Sequence, residues 1–203
     1  FGLNRTPTNC EISEAIEKGR KFKPEGAPGR DLTTWKMTSE WLAPYFKDSF
    51  PETIKLFWDF EKFPDEVRHD RKICLVKNSA KSEDDTGNYR PIFLQNIPFF
   101  KVPDRILNTR LQNMIRTGRV LEPEQGGFIA KRGTAEQSFT LKEMSCDLFA
   151  RKLAFFIAFI DCKSAFDRVM RPLLLKKLYE KGIRGKIWRV ISDMYTDTSA
   201  SLA

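Results

Sequence analysis

The sequence predicts a protein of mixed helices and strands. The two kinds of element either alternate along the chain (α/β) or are segregated from one another (α+β). Residues 153–160 (LAFFIAFI) are the most apolar run, and their aromatic and β-branched content over eight positions is typical of a central buried strand. Two shorter β-prone runs, 73–76 and 89–95, stand on either side of a polar turn. Helical periodicity fills most of the remaining chain, so both kinds of element contribute to the core.

Helices are predicted first near the beginning of the chain. Thr8 and Glu11 have the spacing of a capping box, and we expect Gly19 to end the helix that they begin. After a loop rich in proline and glycine, aromatic residues recur at helical spacing over residues 41–46. Pro51 suits the first turn of a further helix.

The middle of the chain predicts a hairpin followed by two helices. The two short β-prone runs are close enough in sequence to pair, with a polar tip over residues 78–88. Residues 106–115 are predicted to be helical, and residues 125–133 form a basic, glycine-bearing loop. Thr134 and Gln137 repeat the capping-box spacing ahead of the next helix.

Two more helices are predicted after the apolar run. Pro172 begins the first and Gly182 ends it. The second has an apolar stripe at helical spacing, which is typical of a helix with one buried face. The stripe consists of Ile187, Val190, Ile191, Met194 and Tyr195.

The composition favours some classes of protein and excludes others. The 203 residues carry 35 basic and 27 acidic side chains, a net charge of +8, which fits either a nucleic-acid partner or a generically basic domain. Four separated cysteines suit neither a zinc site nor a disulfide framework, so we expect an intracellular protein, nuclear or cytoplasmic. His69 is the single histidine, which argues against a polyhistidine metal site. No apolar run approaches the roughly 20 residues of a membrane span.

A carboxylate directly after the apolar run needs a compensating charge. A buried Asp161 is costly unless a cation neutralises it, and ligands of open α/β sheets gather at strand ends. Mg²⁺ suits such a position because it binds one or two carboxylates together with substrate phosphates. The structural alternative is that Asp161 or Asp167 caps the following helix. For Asp167 we favour the cap, and for Asp161 spacing leaves both alternatives open.

Residues 159–169 (FIDCKSAFDRV) resemble the F-x-D-x-x-x-A-F-D-x-V motif of reverse transcriptases of non-LTR (LINE-type) retrotransposons. Other motifs of that family follow in the family's order: P-G-x-D at 28–31, F-P-x-x at 63–66 before a run ending in Lys77, N-Y-R-P-I at 88–92, Q-x-G-F at 125–128, R-G-T at 132–134, and a leucine- and lysine-rich helix at 173–182. The resemblance implies an RNA-directed DNA polymerase shaped like a right hand. The chain would hold a helical extension leading into the fingers (1–70), the fingers (71–150) and an incomplete palm (151–203).

The resemblance also implies roles for single residues near the aspartate. Asp161 would be a catalytic residue that bridges two Mg²⁺ ions, and the main-chain carbonyl of Cys162 would complete the coordination of one ion. Ala165 and Phe166 would contact the nucleotide. The Phe166 ring would clash with a 2′-hydroxyl and thereby select deoxynucleotides.

The implied phosphate contacts lie elsewhere in the sequence. Arg90 would bind the triphosphate, supported by Lys77, for which Lys81 could substitute. The basic glycine-bearing loop would follow the template through Gln125, Gly127, Lys131 and Arg132. The implied partners are an RNA template, a DNA primer and dNTPs, with no membrane, and the oligomeric state is left open.

The chain departs from the family pattern at several positions. Ile129 stands where the family usually has arginine, and Val67 where it usually has tryptophan. Pro98 and Pro103 fall where the family begins a helix, so that helix must start late or kink. The family's Asp-Asp hairpin does not occur after residue 167. We therefore expect that the chain is truncated before the hairpin and that this part alone is inactive.

Two other functions are compatible with parts of this pattern. One is a non-catalytic, nucleic-acid-binding remnant of a decayed retrotransposon polymerase. The other is a Mg²⁺-dependent phosphatase with Asp161 as nucleophile, and the missing Asp-x-Asp pattern argues against it.

Overall fold

A computed structural model describes residues 2–77, 79–80, 82, 84–118, 120–129 and 131–202. They form a mixed α/β structure, as predicted, with a three-stranded sheet in the order β2-β1-β3. The strands are β1 (His69–Val76), β2 (Tyr89–Leu94) and β3 (Ser199–Leu202). The α-helices are α1 (Asn9–Phe22), α2 (Trp35–Met37), α3 (Ala43–Tyr45), α4 (Ser49–Phe60), α5 (Val102–Gly118), α6 (Thr134–Ala150), α7 (Arg171–Glu180) and α8 (Lys186–Met194). None of the helices described is both long and apolar enough to cross a membrane.

The chain divides into two compact units. The larger unit consists of Phe1–Asn113 together with Arg171–Ala203, and the smaller unit is Met114–Met170. The division into an extension, fingers and palm at residues 70 and 150 is a functional one and stays a prediction.

Helix α1 begins as predicted but ends later. The Thr8 side chain accepts a hydrogen bond from the Glu11 N–H, and the Glu11 carboxylate accepts one from the Thr8 N–H, which confirms the capping box. Gly19 does not end the helix, which continues to Phe22. A Cβ at Gly19 would lie 2.3 Å from a ring carbon of Trp35, so this glycine allows the indole to pack directly on the helix.

Pro51, Pro98 and Pro103 lie in or just before the first turns of helices. Pro51 lies in the first turn of α4. A π-helical turn over Ile97–Lys101 precedes α5, and the Lys101 N–H donates to the Asn96 carbonyl at 3.0 Å. The α-helix therefore starts late, at Val102, as the prolines require.

The predictions for α7 and for four of the five residues in the stripe of α8 are confirmed, and the cap predicted for α6 is wrong. Helix α7 has Pro172 in its first turn, and Gly182 follows its end with a φ of 90°. The apolar stripe of α8 is buried at Ile187, Val190, Ile191 and Met194, whereas Tyr195, which the prediction included, is the C-cap of the helix and is exposed. The capping box predicted at Thr134 is wrong, because Gly133 is the N-cap of α6 and no side chain caps this helix end.

The core of the larger unit joins helices that are distant in sequence. It is built from residues of α1, α2, α4, α5 and the π-helical turn before α5. The buried members are Ile12, Ala15, Ile16, Trp35, Phe50, Ile54, Ile97, Val102 and Ile106. Each of these side chains is at most 7 % exposed, so the cluster is a dry core that holds the helices together.

A buried arginine joins this core to the start of the chain. The Arg110 guanidinium is 6 % exposed and donates to both carboxylate oxygens of Glu11, at 2.9 and 3.0 Å. It also donates to the carbonyls of Leu3 and Arg5 and lies 4.8 Å from the centre of the Trp58 ring. Burial by itself would raise the pKa of Glu11, but hydrogen bonds from Arg110 and from the Thr8 N–H, with the charges of Arg110 and Arg5, lower it to about 2.

The predicted hairpin is present, and the sheet contains one strand that was not predicted. Strands β1 and β2 are antiparallel, with Val76 opposite Tyr89 and Arg71 opposite Leu94. Strand β3 runs parallel to β1 with His69 opposite Ser199. The segment of β3 is rich in small polar residues, so its pattern did not indicate a strand.

Helix α8 is fastened to the segment that leads into β1. The Asp193 carboxylate accepts a hydrogen bond from the Phe63 N–H at 2.8 Å and another from Arg68 at 3.2 Å. At the other end of α8, Lys186 pairs with Asp59 at 2.9 Å. Because these contacts span more than 120 residues of sequence, they close the larger unit around its core.

The smaller unit contradicts the prediction of a buried strand. Residues 153–162 have no regular secondary structure, and every residue from 151 to 170 is exposed. Phe156 is 99 % exposed and Ile160 is 89 % exposed. A strand needs a neighbour to complete its backbone hydrogen bonds, and the described strands β1, β2 and β3 pair only with one another.

The buried Arg110–Glu11 pair predicts the effect of a single substitution. Glu11→Gln leaves the Arg110 charge buried and unneutralised, so we expect the free energy of unfolding to fall by about 3 kcal/mol in a urea titration at pH 7. Glu17→Gln is the matched control, because Glu17 lies on the same helix and pairs with Arg20 and Lys21 at the surface. It should leave the urea midpoint unchanged.

The same pair predicts a pH dependence. The folded pKa of Glu11 is lowered to about 2 from 4.5, so its stabilising effect is complete above pH 4.5 and is lost as the pH falls through 2. The difference in stability between the parent chain and Glu11→Gln should therefore shrink across this interval. A constant difference from pH 6 to pH 2.5 would contradict the account of Arg110.

Candidate functional site

The two residues predicted to bind the triphosphate, Lys77 and Arg90, lie on one face of the β1–β2 hairpin. Arg90 is opposite Leu75, and Lys77 directly follows β1, where its N–H donates to the Asn88 carbonyl at 2.8 Å. Because side chains alternate along a strand, Lys77 and Arg90 point to the same side and are diagonal neighbours. Lys81 is outside the described residues.

Lys77 and Arg90 differ in whether their side chains already form hydrogen bonds within the protein. The Lys77 ammonium donates to the Gly87 carbonyl at 3.0 Å, inside the hairpin turn. Arg90 is exposed, and among the described residues no hydrogen bond or ion pair engages its guanidinium. The hairpin thus presents one free guanidinium beside an ammonium that also holds the turn, which is an arrangement suited to phosphate oxygens.

Asp161 stands at the end of the apolar run, but it is not buried. Asp161 and Cys162 are exposed and directly precede a turn that contains Ala165 and Phe166. Ser164 has a φ of 54°, and its carbonyl accepts a hydrogen bond from the Arg168 N–H at 3.2 Å. The turn therefore holds Ala165 and Phe166 a few residues beyond the aspartate on one short segment.

The helix cap favoured for Asp167 is wrong. Helix α7 begins at Arg171, four positions further on, whereas an N-cap directly precedes its helix. Asp167 lies inside the turn and is exposed. The structural alternative therefore does not account for this carboxylate.

Asp161 offers one hard oxygen donor for a divalent cation. No group of three or more histidine, cysteine, aspartate or glutamate side chains that could hold a metal occurs in the described part of the chain. Mg²⁺ does not require such a cluster, since one or two carboxylates and substrate phosphates can hold it. The donor chemistry of Asp161 therefore fits Mg²⁺, with the remaining ligands supplied from elsewhere.

The predicted template loop is held closed by its own side chains. The Arg132 guanidinium donates to the Gln125 carbonyl at 3.1 Å and also to the carbonyl of Pro123. The Gln125 amide donates to the Gly127 carbonyl at 3.0 Å. The Arg132 guanidinium thus stabilises the loop, and Lys131 is the exposed basic side chain that no described residue engages.

The structure adds one residue that the sequence analysis did not select. The ring of Phe128 meets the ring of Phe166 edge to face, with centroids 6.4 Å apart and planes at 84°. Both phenylalanines belong to motifs that carry the family resemblance. Their place in those motifs was the one indication in the sequence that Phe128 belongs to the site. The smaller unit thus brings the template loop and the turn after Asp161 into contact through two rings.

The larger unit also encloses a cavity of about 580 Å³ that none of the predicted site residues lines. Its apolar wall is formed by Leu107, Leu111, Leu174, Leu178, Ile191 and Met194. Asp70 and Asp104 face this cavity, and burial raises the pKa of both carboxyl groups, partly offset by the charge of Lys101. The cavity is therefore separate from the hairpin cations.

Comparison with known proteins identifies the family. The family model described as reverse transcriptase (RNA-dependent DNA polymerase) matches residues 76–202, and the chain belongs to this family. The matched range includes the hairpin cations, the template loop and the turn after Asp161. The predicted family is therefore confirmed.

The similar relatives come from mobile elements of flies. The chain is 28% identical over 170 residues to the RNA-directed DNA polymerase from mobile element jockey of Drosophila funebris, covering 82% of this chain and 18% of that protein. It is 31% identical over 106 residues to the probable RNA-directed DNA polymerase from transposon BS of Drosophila melanogaster, covering 52% and 12%. It is 27% identical over 164 residues to the probable RNA-directed DNA polymerase from transposon X-element of the same species, covering 79% and 17%. The chain thus spans less than a fifth of the length of these relatives.

The hydrogen bonds of the template loop predict different effects for its two adjacent cations. Arg132→Gln removes the guanidinium that closes the loop, so we expect exchange of the Gln125 main-chain amide, which donates to the Glu122 carbonyl at 3.0 Å, to increase at least about tenfold. Lys131→Gln should leave this exchange unchanged. It should instead reduce by about one unit the slope of log K against log salt for binding to an RNA–DNA duplex, because the predicted phosphate contact of Lys131 would be lost. Equal exchange in both variants would contradict the structural role of Arg132.

Proposed function

We propose that this chain contributes the fingers and the first part of the palm to a polymerase that synthesises DNA on an RNA template. The observation that carries the proposal is the family match over residues 76–202, which contains every proposed site residue from Lys77 to Phe166. The reaction is the transfer of a nucleotide from a dNTP to the 3′-end of a primer. The complete protein, its substrates and its partners are part of this proposal.

The hairpin binds the triphosphate of the incoming nucleotide. Arg90 contacts the phosphate oxygens with its planar guanidinium, whose geometry matches two oxygens at once. Lys77 adds a positive charge beside it and keeps the turn in place through its bond to the Gly87 carbonyl. The support for these roles is the shared face of the two side chains and the absence of a competing partner for Arg90 among the described residues.

The segment after the apolar run binds the catalytic metal. Asp161 is the proposed catalytic carboxylate, and its side chain, with the main-chain carbonyl of Cys162, holds Mg²⁺. Two Mg²⁺ ions in the complete polymerase supply the positive charge that stabilises the attacking 3′-oxygen and the leaving phosphate oxygens. Asp161 orients this charge at the reacting phosphate, and the remaining ligands come from the substrates and from other parts of the polymerase.

The turn after Asp161 selects the sugar. Ala165 and Phe166 lie under the incoming nucleotide, and the Phe166 ring occupies the space that a 2′-hydroxyl would need. The ring is 81 % exposed, which supports a contact with a ligand over a role in the core of the smaller unit.

The loop from Gln125 to Arg132 follows the template. Gln125 and Gly127 keep the backbone in a tight conformation that a nucleic-acid strand can approach, and Arg132 closes the loop. Lys131 contacts the phosphate chain. The net charge of +8 favours binding of the RNA template and DNA primer in general.

A second candidate is a non-catalytic, nucleic-acid-binding remnant of such a polymerase. The exposed and unpaired residues 153–162 favour it, because a catalytic carboxylate needs a rigid support. The two candidates share the basic surface and differ in whether Asp161 is required for synthesis.

Replacing the catalytic carboxylate distinguishes the two candidates. In a primer-extension assay of the complete polymerase, Asp161→Asn should reduce synthesis to background, because the amide no longer holds Mg²⁺. Asp147→Asn is the control, since Asp147 is exposed on α6 and its carboxylate pairs with Arg151, the C-cap of that helix, and it should retain activity. The 203-residue chain by itself should not extend a primer, and Asp161→Asn should leave its urea midpoint unchanged because the side chain is exposed. A fully active Asp161→Asn polymerase would refute the catalytic assignment.

The proposed sugar selection predicts the result of a competition assay. Phe166→Val removes the clash with the 2′-hydroxyl, so incorporation of ribonucleotides relative to deoxynucleotides should rise by roughly 10–200-fold, the range that one misfitting group in a pocket produces. Competition between the two nucleotides in one reaction measures the ratio directly. Unchanged discrimination would exclude Phe166 as the selecting residue.

A further inference from the structure

We propose that Phe128 is a positioning residue that holds the Phe166 ring in place and thereby determines how strictly the polymerase excludes ribonucleotides. The inference rests on the proposed role of Phe166 and adds a second residue to sugar selection. Phe128 belongs to the template loop, and its sequence motif does not indicate a role in sugar selection.

The Phe166 ring needs external support. Phe166 lies in a turn of exposed residues, and its ring is 81 % exposed. An exposed phenylalanine samples several staggered rotamers. A ring that excludes a hydroxyl by contact works only when it is held to within a fraction of an ångström.

Phe128 is placed to provide this support. The two rings meet edge to face with centroids 6.4 Å apart, within the range of favourable aromatic pairs. Among the described residues, Phe128 is the aromatic residue whose ring contacts the Phe166 ring. Such a contact favours the paired orientation of an otherwise free ring by about three- to tenfold.

Phe128 is itself anchored by the loop to which it belongs. It has a φ of 62°, a conformation that a non-glycine residue keeps only when the surrounding structure enforces it. The loop around it is closed by the bond from Gln125 to the Gly127 carbonyl and by the bond from Arg132 to the Gln125 carbonyl. The loop therefore transmits its fixed geometry to the Phe166 ring.

The exposure of both rings argues against ordinary core packing. Phe128 is 86 % exposed, so the pair buries little surface. Two rings that met only to leave water would bury much more of their area. The open faces of the pair remain available to a nucleotide, which is what a selecting surface requires.

The test compares sugar discrimination in five variants of the complete polymerase by competition between ribo- and deoxynucleotides. Phe128→Leu should raise relative ribonucleotide incorporation about three- to tenfold, and Phe128→Tyr, which keeps the ring, should restore the parent ratio. The double variant Phe128→Leu/Phe166→Val should match Phe166→Val alone, since no ring is left to position. Phe149→Leu is the matched control, because Phe149 is a phenylalanine of the smaller unit with 81 % exposure, and it should leave the ratio unchanged.

A second measurement on the 203-residue chain does not depend on activity. The Phe166 ring resonances should shift in Phe128→Leu, because the ring current of Phe128 is lost, and should stay in place in Phe149→Leu. Unshifted resonances in Phe128→Leu would overturn the inference, and so would a discrimination ratio that changes with Phe166→Val but not with Phe128→Leu. Additive effects in the double variant would also overturn it. If Phe166→Val itself changes nothing, the proposed sugar selection fails first, and the two failures are thus distinguishable.

Discussion

The ion pair between Arg110 and Glu11 is the constraint on which the larger unit depends. One guanidinium binds a carboxylate of α1, two carbonyls near the start of the chain and the face of Trp58 on α4. Its own helix, α5, packs in the same core through Ile106. Because the charge is buried, every one of its donors must find an acceptor, and this requirement fixes the positions of three helices and the terminal segment relative to one another.

This framework explains why the hairpin can act as a rigid support for charged side chains. Strand β1 is paired on both sides, and the contact of Asp193 with Arg68 and with the Phe63 backbone holds the segment that leads into it. Lys77 and Arg90 stand at the far end of the same hairpin. Because the backbone of the hairpin is already ordered, binding of phosphate by Arg90 would cost rotamer freedom of its side chain but no backbone entropy.

The local structure of the smaller unit depends on hydrogen bonds within its turn and its loop. Its apolar run is exposed and without a paired strand, yet the turn after Asp161 and the loop before α6 are locally well defined by backbone and side-chain hydrogen bonds. Arg132 and Lys131 are adjacent basic residues in different environments, since the Arg132 guanidinium closes the loop while the Lys131 side chain is exposed and engaged by no described residue. Adjacent cations of one basic motif therefore differ in whether they take part in the local structure.

The sequence alone determined the elements that depend on local rules. The capping box of α1, the β1–β2 hairpin, the buried stripe of α8 and the family motifs all follow from spacing over a few residues, and so did the membership of the reverse transcriptase family. Only the tertiary structure decided that Gly19 packs beneath Trp35, that β3 joins β1, that residues 153–162 lack a paired strand and that Phe128 meets Phe166. Each of these features depends on a contact between residues far apart in the chain, and local spacing does not encode which distant partner is present.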